Sequence, residues 1–320
     1  YAGPNGVDPL GLEDVIVDAR KKVLDDQGLG TFGGILENYK FIKGDMGKIG
    51  GKVLIFVPGF NVTEKETVEW SKLIDDRLNE KGVMAYTVVT FSWRGNENLI
   101  FGTDGITSDI LGPTNFFNRN VLNANAASVE LKRLILDIEA YQLEKYGEGC
   151  EISIAGHSLG NRVSLKATSE IVESREIYNN KHSYSADKKN IEFIKKIFMF
   201  QPAVDKNCLN LGTGAFQSKG EFSSASLSAK QMLVFYSSDD AVLKWAFPSN
   251  NTIMKLNASF ALGYKGTTTD KLNLPTNLIQ LNSQPWGING HSAMKIEDPL
   301  DVSKFYQSFA AYLYYDYFFK

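Results

Sequence analysis

One serine in this chain lies in a spacing that suits nucleophilic chemistry. Residues 156–160 read Gly-His-Ser-Leu-Gly; they follow an apolar run at 151–155 with strand character and precede a stretch, 161–172, that favours a helix. A serine on a sharp turn from strand to helix projects its hydroxyl from the sheet, and the flanking glycines relieve the clashes of such a turn. We therefore expect Ser158 to be a nucleophile. The backbone N–H of Leu159, at the helix start, should face a developing oxyanion.

A serine nucleophile needs a general base, and the chain contains three histidines. His157 lies within the turn, where its side chain should point away from the position of a base. His182 lies in a polar stretch, which predicts a solvated surface residue. His291 lies in a glycine-rich loop after an apolar segment, 277–281, which is where a base following the last strand is expected. We therefore expect His291 to be the base; a structural histidine that caps its loop is the alternative.

An acid that orients the histidine should lie between the serine and the histidine in the chain. The strand-like run 231–236 is followed by Asp239 and Asp240, and Asp205 follows an earlier apolar run, 197–200. Neighbouring residues of a loop face different ways, so only one of the two adjacent aspartates can point at the histidine. We rank Asp240 first, Asp239 second and Asp205 third. The remaining aspartates are expected to cap loops or to be solvated.

A second oxyanion donor is expected on the loop after an earlier strand. Residues 53–57 form a continuous apolar run, as a parallel strand buried on both faces should. Gly59 follows and allows an unusual backbone, so the N–H of Phe60 is the expected donor. The spelling Thr-Glu-Lys-Glu at 63–66 is that of a capping box, and it predicts a helix that ends at Gly82.

Four blocks of the chain contain most of these residues. They are 57–62 (Val-Pro-Gly-Phe-Asn-Val), 90–93 (Thr-Phe-Ser-Trp), 156–163 (Gly-His-Ser-Leu-Gly-Asn-Arg-Val) and 236–243 (Tyr-Ser-Ser-Asp-Asp-Ala-Val-Leu). Over about residues 50–295 the chain thereby resembles the lipase-like α/β-hydrolases, most closely a bacterial branch with a His-Gly-Tyr/Phe-Asn-Val motif.

The resemblance implies an α/β-hydrolase fold with a mostly parallel central sheet, helices on both faces and lid-like insertions. In that branch an aspartate just before a short apolar pair is the acid, which corresponds to Asp240. One departure is Pro58, which stands where the branch has a histidine that supports the first loop. Ester hydrolysis by such a Ser-His-Asp triad needs neither a metal nor an organic cofactor, so none is expected.

The first twelve residues carry a second resemblance. They read Tyr-Ala-Gly-Pro-Asn-Gly-Val-Asp-Pro-Leu-Gly-Leu, which is similar to the end of the core of Rhs/YD-repeat proteins. In those proteins an Asp-Pro-x-Gly-Leu motif, here Asp8 to Leu12, marks the junction between the carrier and a C-terminal toxin. The resemblance implies that residues 1–12 are a remnant of a carrier core and that a cognate immunity protein is a partner. An ordinary turn-rich leader is the alternative.

The remaining boundaries are read from composition. We expect a linker and lead-in segment over 13–50 and a hydrolase domain over 51–320, with insertions near 96–125 and 205–285. The first insertion is rich in Gly and Asn but carries apolar side chains, so a lid or an acyl-binding wall is expected before a helix over 126–146; an ordinary packed excursion is the alternative. Within the second insertion, a loop rich in Gly, Ser and Ala at 207–230 is expected to be flexible.

Composition excludes several classes of protein. The net charge is −3, so nucleic acid is not an expected partner. The two cysteines have no metal-binding spacing and provide no disulfide framework. No signal peptide opens the chain and no apolar run reaches the ~20 residues of a spanning helix. The resemblance to Rhs/YD-repeat proteins implies secretion, or delivery into a target cell together with the carrier. The aromatic segment 298–319 is expected to be a core helix, with a membrane-surface contact as the alternative.

Together these features predict a serine ester hydrolase. The first hypothesis is a lipase or phospholipase that acts as an antibacterial effector on membrane lipids. A non-lipid esterase, thioesterase or amidase is the alternative among enzymes. A catalytically silent hydrolase fold used for binding is a further alternative, although the intact order of serine, acid and histidine argues against it.

Overall fold

The structure, a computed structural model, describes residues 15–19, 40–59, 62, 64–80, 86–93, 107–181, 191–213, 218–244, 247, 260–267, 273–284 and 291. Its strands are β1 Val15–Asp18, β2 Lys40–Lys43, β3 Lys52–Val57, β4 Thr87–Ser92, β5 Glu151–His157, β6 Ile194–Phe200, β7 Ala229–Tyr236 and β8 Leu278–Asn282. Its helices are α1 Glu64–Glu80, α2 Thr107–Tyr146, α3 Gly160–Lys181 and two short ones, α4 Ala225–Ser228 and α5 Leu262–Lys265. A 3₁₀ turn spans Met46–Lys48.

The eight strands form one sheet in the order β2-β1-β4-β3-β5-β6-β7-β8. Strand β2 pairs antiparallel with β1, and every other pair is parallel. The expected mostly parallel sheet is therefore confirmed. Parallel strands bring their carboxyl ends to one edge, where the loops after β3, β5, β6 and β7 meet. Strand β5 lies near the middle of this edge and leads directly into Ser158.

One face of the sheet is covered by α2 and α3. Alternate residues of β3, namely Val53, Ile55 and Val57, are fully buried in a cluster that includes Leu131 of α2 and Val163 of α3. Parallel strands covered on both faces need apolar residues in both alternating sets, which explains the continuous apolar run of β3. The cluster fixes α3, and with it the turn that carries Ser158, against the centre of the sheet.

The other face is aromatic and packs on α1. Trp70 of α1 lies 5.9 Å from Phe56, measured between ring centroids. Along the neighbouring strands Phe200 stacks on Phe198 at 6.4 Å and on Phe235 at 5.0 Å. All five side chains are buried, and burial of each phenylalanine stabilises the fold by roughly 1.5–3 kcal/mol. The helices thus occupy both faces, as expected.

The lead-in segment differs from the prediction. Within 13–50, expected to be a linker, β1 and β2 extend the sheet, and Val15, Ile16 and Val17 are almost completely buried. The expected boundary at residue 51 is therefore wrong for these two strands. Strands of four residues are too short for periodicity to separate them from the turn-rich sequence around them.

The insertion predicted near 96–125 also needs correction, because α2 begins at Thr107 rather than near residue 126. Val121, Ala124, Ala127 and Leu131 are buried at spacings of three and four residues, so the apolar stripe of α2 continues upstream. The asparagines between them suggested a loop, but they occupy the remaining positions around the helix. The irregular lid expected here is thus helical over much of its length.

The segment predicted to be a flexible loop, 207–230, is partly ordered as secondary structure. It contains α4 and the first residues of β7, which begins at Ala229. Ser223, Ser224, Ser226 and Ser228 are buried, because small side chains allow the backbone of this segment to pack closely. Composition rich in Ser and Ala therefore indicated close packing here rather than flexibility.

Several predictions fall outside the described residues. These are the carrier remnant at 1–12, the polar stretch with His182, the aromatic segment 298–319 and the residue Phe60. Within the described ranges, no helix combines the length and the apolar character that crossing a membrane requires.

Candidate active site

The turn after β5 holds Ser158 in an unusual backbone conformation. Its φ is +50°, in the left-handed region that residues with a side chain seldom occupy. Its N–H donates to the carbonyl of Phe200 at 2.9 Å, and its carbonyl accepts from the N–H groups of Ala203 at 3.1 Å and Asn161 at 3.2 Å. Such strain costs on the order of 1–3 kcal/mol and persists only where the surroundings hold it. These three bonds provide that support.

The side chain of Asn161 also holds the turn in place, a role that the sequence did not predict. Its Nδ2 donates to the carbonyls of Ser158 at 3.0 Å and Phe200 at 3.1 Å, so it ties the turn to β6. A Cβ at Gly156 would lie 2.6 Å from Oδ1 of Asn161, and a Cβ at Gly160 would lie 2.3 Å from the carbonyl oxygen of Val57. Both positions therefore require glycine, because neighbouring atoms lie too close to admit a Cβ. The position of Asn161 directly after the Gly-x-Ser-x-Gly spacing was the available signal.

The structure brings together three side chains that are distant in the sequence. Oγ of Ser158 lies 2.7 Å from Nε2 of His291, and Nδ1 of His291 lies 2.8 Å from Oδ2 of Asp240. A carboxylate only accepts, so Nδ1–H donates to Asp240 and Nε2 is the nitrogen that accepts from the serine hydroxyl. Asp240 is completely buried, whereas 15% of the His291 side chain is exposed. This arrangement can transfer the hydroxyl proton to the imidazole.

The carboxylate of Asp240 is held from two sides. Oδ2 accepts from His291, and Oδ1 accepts from the N–H of Leu243 at 2.9 Å, where a helical turn begins. Asp239 is exposed on the same loop. Asp205 instead closes a local turn by accepting from the N–H of Asn207 at 2.7 Å. Of the three candidate acids, Asp240 is the one in contact with His291.

The loop after β3 lies directly over the serine turn. A Cβ at Gly59 would lie 2.8 Å from Nδ1 of His157 and 3.0 Å from Cβ of Ser158. The indole Nε1 of Trp93 donates to the carbonyl of Pro58 at 2.7 Å and so anchors this loop. Pro58 is the position at which the lipase-like branch has a histidine. This anchor was another contact that sequence reasoning missed, although Trp93 lies in one of the four blocks.

Leu159, one of the two expected oxyanion donors, lies directly before α3. The first N–H groups of a helix have no acceptor within the helix. No acceptor among the described residues takes the N–H of Leu159, while its carbonyl accepts from Arg162 at 3.0 Å. The other expected donor, Phe60, lies outside the described residues.

Neither cysteine suits nucleophilic chemistry. Both thiols are free, and burial raises the pKa of Cys150 and raises that of Cys208 well above its ordinary value. A thiol with a raised pKa carries little of the reactive thiolate at neutral pH. Within the described part of the chain, no group of three or more His, Cys, Asp or Glu side chains is placed to hold a metal ion.

Two cavities of the described structure lie away from the serine turn. One, of about 370 Å³, lies at the opposite edge of the sheet, where Glu151, Ile194 and Lys230 line it. The other, of about 470 Å³, lies between α2 and α3, with Leu136 and Ile171 in its wall. Neither is lined by the serine, the histidine or the aspartate. The three side chains therefore meet at the carboxyl edge of the sheet, outside both cavities.

A parallel sheet with helices on both faces and a Ser-His-Asp series at its carboxyl edge defines an α/β hydrolase. The chain belongs to the family described as alpha/beta hydrolase of unknown function (DUF900), whose model matches residues 38–259. No curated protein matches the chain.

Two solved structures are similar to parts of this fold. One is a candidate hydrolase of the alpha/beta superfamily from Xanthomonas campestris pv. campestris, at 13% identity over 82% of this chain and 98% of that chain, with a TM-score of 0.32. The other is Est1E from Butyrivibrio proteoclasticus with bound ferulic acid, at 13% identity over 82% of this chain and 88% of that chain, also with a TM-score of 0.32. Likeness at this level carries no argument about the substrate.

Proposed function

We propose that this protein hydrolyses carboxylic esters, with Ser158 as nucleophile, His291 as general base and Asp240 as the acid that orients His291. The observation that carries the proposal is the continuous series of contacts, 2.7 Å from Ser158 to His291 and 2.8 Å from His291 to Asp240, at a turn held with positive φ. A fold used only for binding has no need for this series or for the strain that accompanies it.

The geometry supports a reaction in two stages. Nε2 of His291 takes the proton of Ser158 as Oγ attacks the ester carbonyl carbon. The proposed donors to the oxyanion are the N–H groups of Leu159 and, from the sequence alone, Phe60. The tetrahedral intermediate collapses to an acyl-enzyme, and the proton on His291 passes to the leaving alcohol. Water then attacks the acyl group, with His291 again accepting and returning the proton. Asp240 stabilises the imidazolium that forms in each stage.

We further propose that the substrate is a membrane lipid and that the enzyme is an effector toxin. The lipid assignment is supported by the resemblance of the four blocks to lipase-like enzymes. The effector assignment is supported by the resemblance of residues 1–12 to a carrier junction. The partners in this proposal are a lipid surface, an Rhs carrier core that delivers the domain, and an immunity protein. Nucleic acid is not among them, because the net charge is −3.

A panel of substrates tests the proposal. The purified domain is assayed on p-nitrophenyl acetate, butyrate and palmitate and on vesicles of phosphatidylethanolamine and phosphatidylglycerol, with release of fatty acid measured by titration. Ser158→Ala serves as the matched control throughout. Hydrolysis of the long-chain ester and release of fatty acid from vesicles support a lipase or phospholipase. Turnover of the short esters alone identifies a non-lipid esterase, and no turnover of any substrate refutes the proposed chemistry.

A further inference from the structure

A second histidine, His157, contacts the backbone of His291. Nε2 of His157 lies 3.3 Å from the backbone carbonyl oxygen of His291, and the two ring centroids are 5.3 Å apart. A carbonyl oxygen only accepts, so this contact requires a proton on Nε2 of His157. His157 is almost completely buried at the carboxyl end of β5. The contact reaches the backbone of His291 and not the nitrogens that take part in proton transfer.

The ring of His157 is itself held by two other elements. The indole of Trp70 on α1 lies 6.1 Å from the His157 ring, measured between centroids. On the loop after β3, Gly59 approaches so closely that a Cβ there would lie 2.8 Å from Nδ1 of His157. The ring therefore lies at the junction of α1, the first loop and the serine turn.

His291 has a particular need for such support. It follows β8 in the chain, and β6 and β7 lie between β8 and β5 in the sheet, yet its imidazole contacts Ser158 directly after β5. Among the described residues, Asp240 fixes the imidazole through Nδ1, and His157 fixes the backbone from which that imidazole extends. Two fixed points define the direction as well as the position of Nε2.

We propose that His157 is a positioning residue that sets the backbone of His291 so that Nε2 meets the hydroxyl of Ser158. The role rests on the proposed function, because it requires His291 to be the base. A displacement of about 1 Å between reacting groups can cost on the order of 100-fold in rate, so a single backbone hydrogen bond is sufficient to matter. The same ring lies close to Gly59, so the loop after β3 and the backbone of His291 both approach one side chain.

A matched pair of variants tests the role of the hydrogen bond. His157→Gln keeps a donor at the end of the side chain, where its amide nitrogen can replace Nε2, whereas His157→Phe keeps a ring but has no donor. We expect kcat of His157→Phe to fall about 10- to 100-fold with KM within about 3-fold, and His157→Gln to keep kcat within about 5-fold of wild type. Thermal unfolding is measured for both variants. A purely structural role would change the unfolding temperature in both and would not separate their kcat values.

A second measurement uses the wild-type protein and does not depend on folding of the variants. With only three histidines, selective ¹⁵N labelling allows each imidazole to be assigned by NMR. We expect a proton on Nε2 of His157. A neutral His157 with its proton on Nδ1, or equal loss of kcat in the two variants, overturns the positioning role even if the enzyme is active. Wild-type protein that hydrolyses no ester refutes the proposed function, and the positioning role falls with it.

Discussion

Asp240 and His291 are 51 positions apart in the chain and meet through Oδ2 and Nδ1 at 2.8 Å. The other carboxylate oxygen of Asp240 accepts from the N–H of Leu243, so the carboxylate cannot rotate without losing one of two bonds. A buried carboxylate held in this way fixes the tautomer of the imidazole that it contacts. This contact predicts that Asp240, rather than Asp239 or Asp205, is the acid on which activity depends.

We expect Asp240→Asn to lower kcat by about 10⁴-fold, because the amide favours the wrong tautomer of His291. Asn can still accept from Leu243 through Oδ1, so the loop should keep its conformation. Asp239→Asn and Asp205→Asn are matched controls, since Asp239 is exposed and Asp205 closes a separate turn. Steady-state ester hydrolysis by the four proteins provides the measurement. An equally large loss in either control would show that the acid has been assigned incorrectly.

A second prediction concerns the glycine that follows the serine turn. Gly160→Ala places a Cβ 2.3 Å from the carbonyl oxygen of Val57 and 2.4 Å from that of Pro58, both of which are backbone atoms. The turn must therefore shift away from β3, and we expect at least ~100-fold loss of kcat together with lower thermal stability. Gly51→Ala is the control, because the nearest atom to its Cβ is a side-chain carbon of Tyr146 at 4.0 Å. Full activity of Gly160→Ala would contradict the packing described for this turn.

A third prediction concerns the opposite edge of the sheet. Burial, and then the negative charge of Glu151, raise the pKa of Tyr86 from 10.0 to about 12. A raised pKa means that the folded state favours the neutral phenol, so this stabilisation is complete below about pH 10 and is lost as the pH rises to about 12. We expect stability of wild type to fall more steeply than that of Tyr86→Phe between these pH values. Absorbance of the phenolate, compared between the two proteins, provides the test. A phenol that titrates near pH 10 in folded wild type and is missing from Tyr86→Phe would contradict the prediction.

A fourth prediction concerns biology. If residues 1–12 are a carrier remnant, their removal should leave ester hydrolysis unchanged, because they would contribute nothing to the site. The domain should arrest a bacterial host when it is directed to the compartment that holds its substrate, and Ser158→Ala should abolish the arrest. Expression of both proteins in the cytoplasm and in the periplasm, followed by growth curves, provides the measurement. Equal growth in all four cultures contradicts the effector proposal, and toxicity that persists in Ser158→Ala separates the harm from the proposed chemistry.

The centre of the fold was predictable because its signals are local and strong. The continuous apolar run at 53–57 became β3, and the run before the Gly-x-Ser-x-Gly spacing became β5. The order of serine, acid and histidine left Asp205, Asp239 and Asp240 as candidates, and the resemblance to the lipase-like branch favoured Asp240. The structure brings Asp240 into contact with His291. Motifs of this kind place chemical groups at strand ends, and strand ends of a parallel sheet meet at one edge.

The remaining elements depended on information that the local sequence does not contain. Strands β1 and β2 are stable because the sheet edge accepts them, and four residues carry too little pattern to show this. The sequence did not predict the helix upstream of residue 126, because burial of Val121 and Ala124 outweighs the low helix propensity of Asn123 and Asn125. The contact from His157 to the His291 carbonyl joins residues 134 positions apart, and no motif or spacing in the sequence predicts it.

The central claim is that Ser158 is a nucleophile activated by His291, and covalent labelling tests it most directly. A fluorophosphonate is incubated with wild type, Ser158→Ala and His291→Ala, and the intact mass of each protein is measured. We expect wild type to gain one phosphonyl group, with the modified peptide containing Ser158, Ser158→Ala to gain none, and His291→Ala to react at least ~10³-fold more slowly. Labelling of Ser158→Ala at the wild-type rate, or modification of another residue in wild type, would contradict the account.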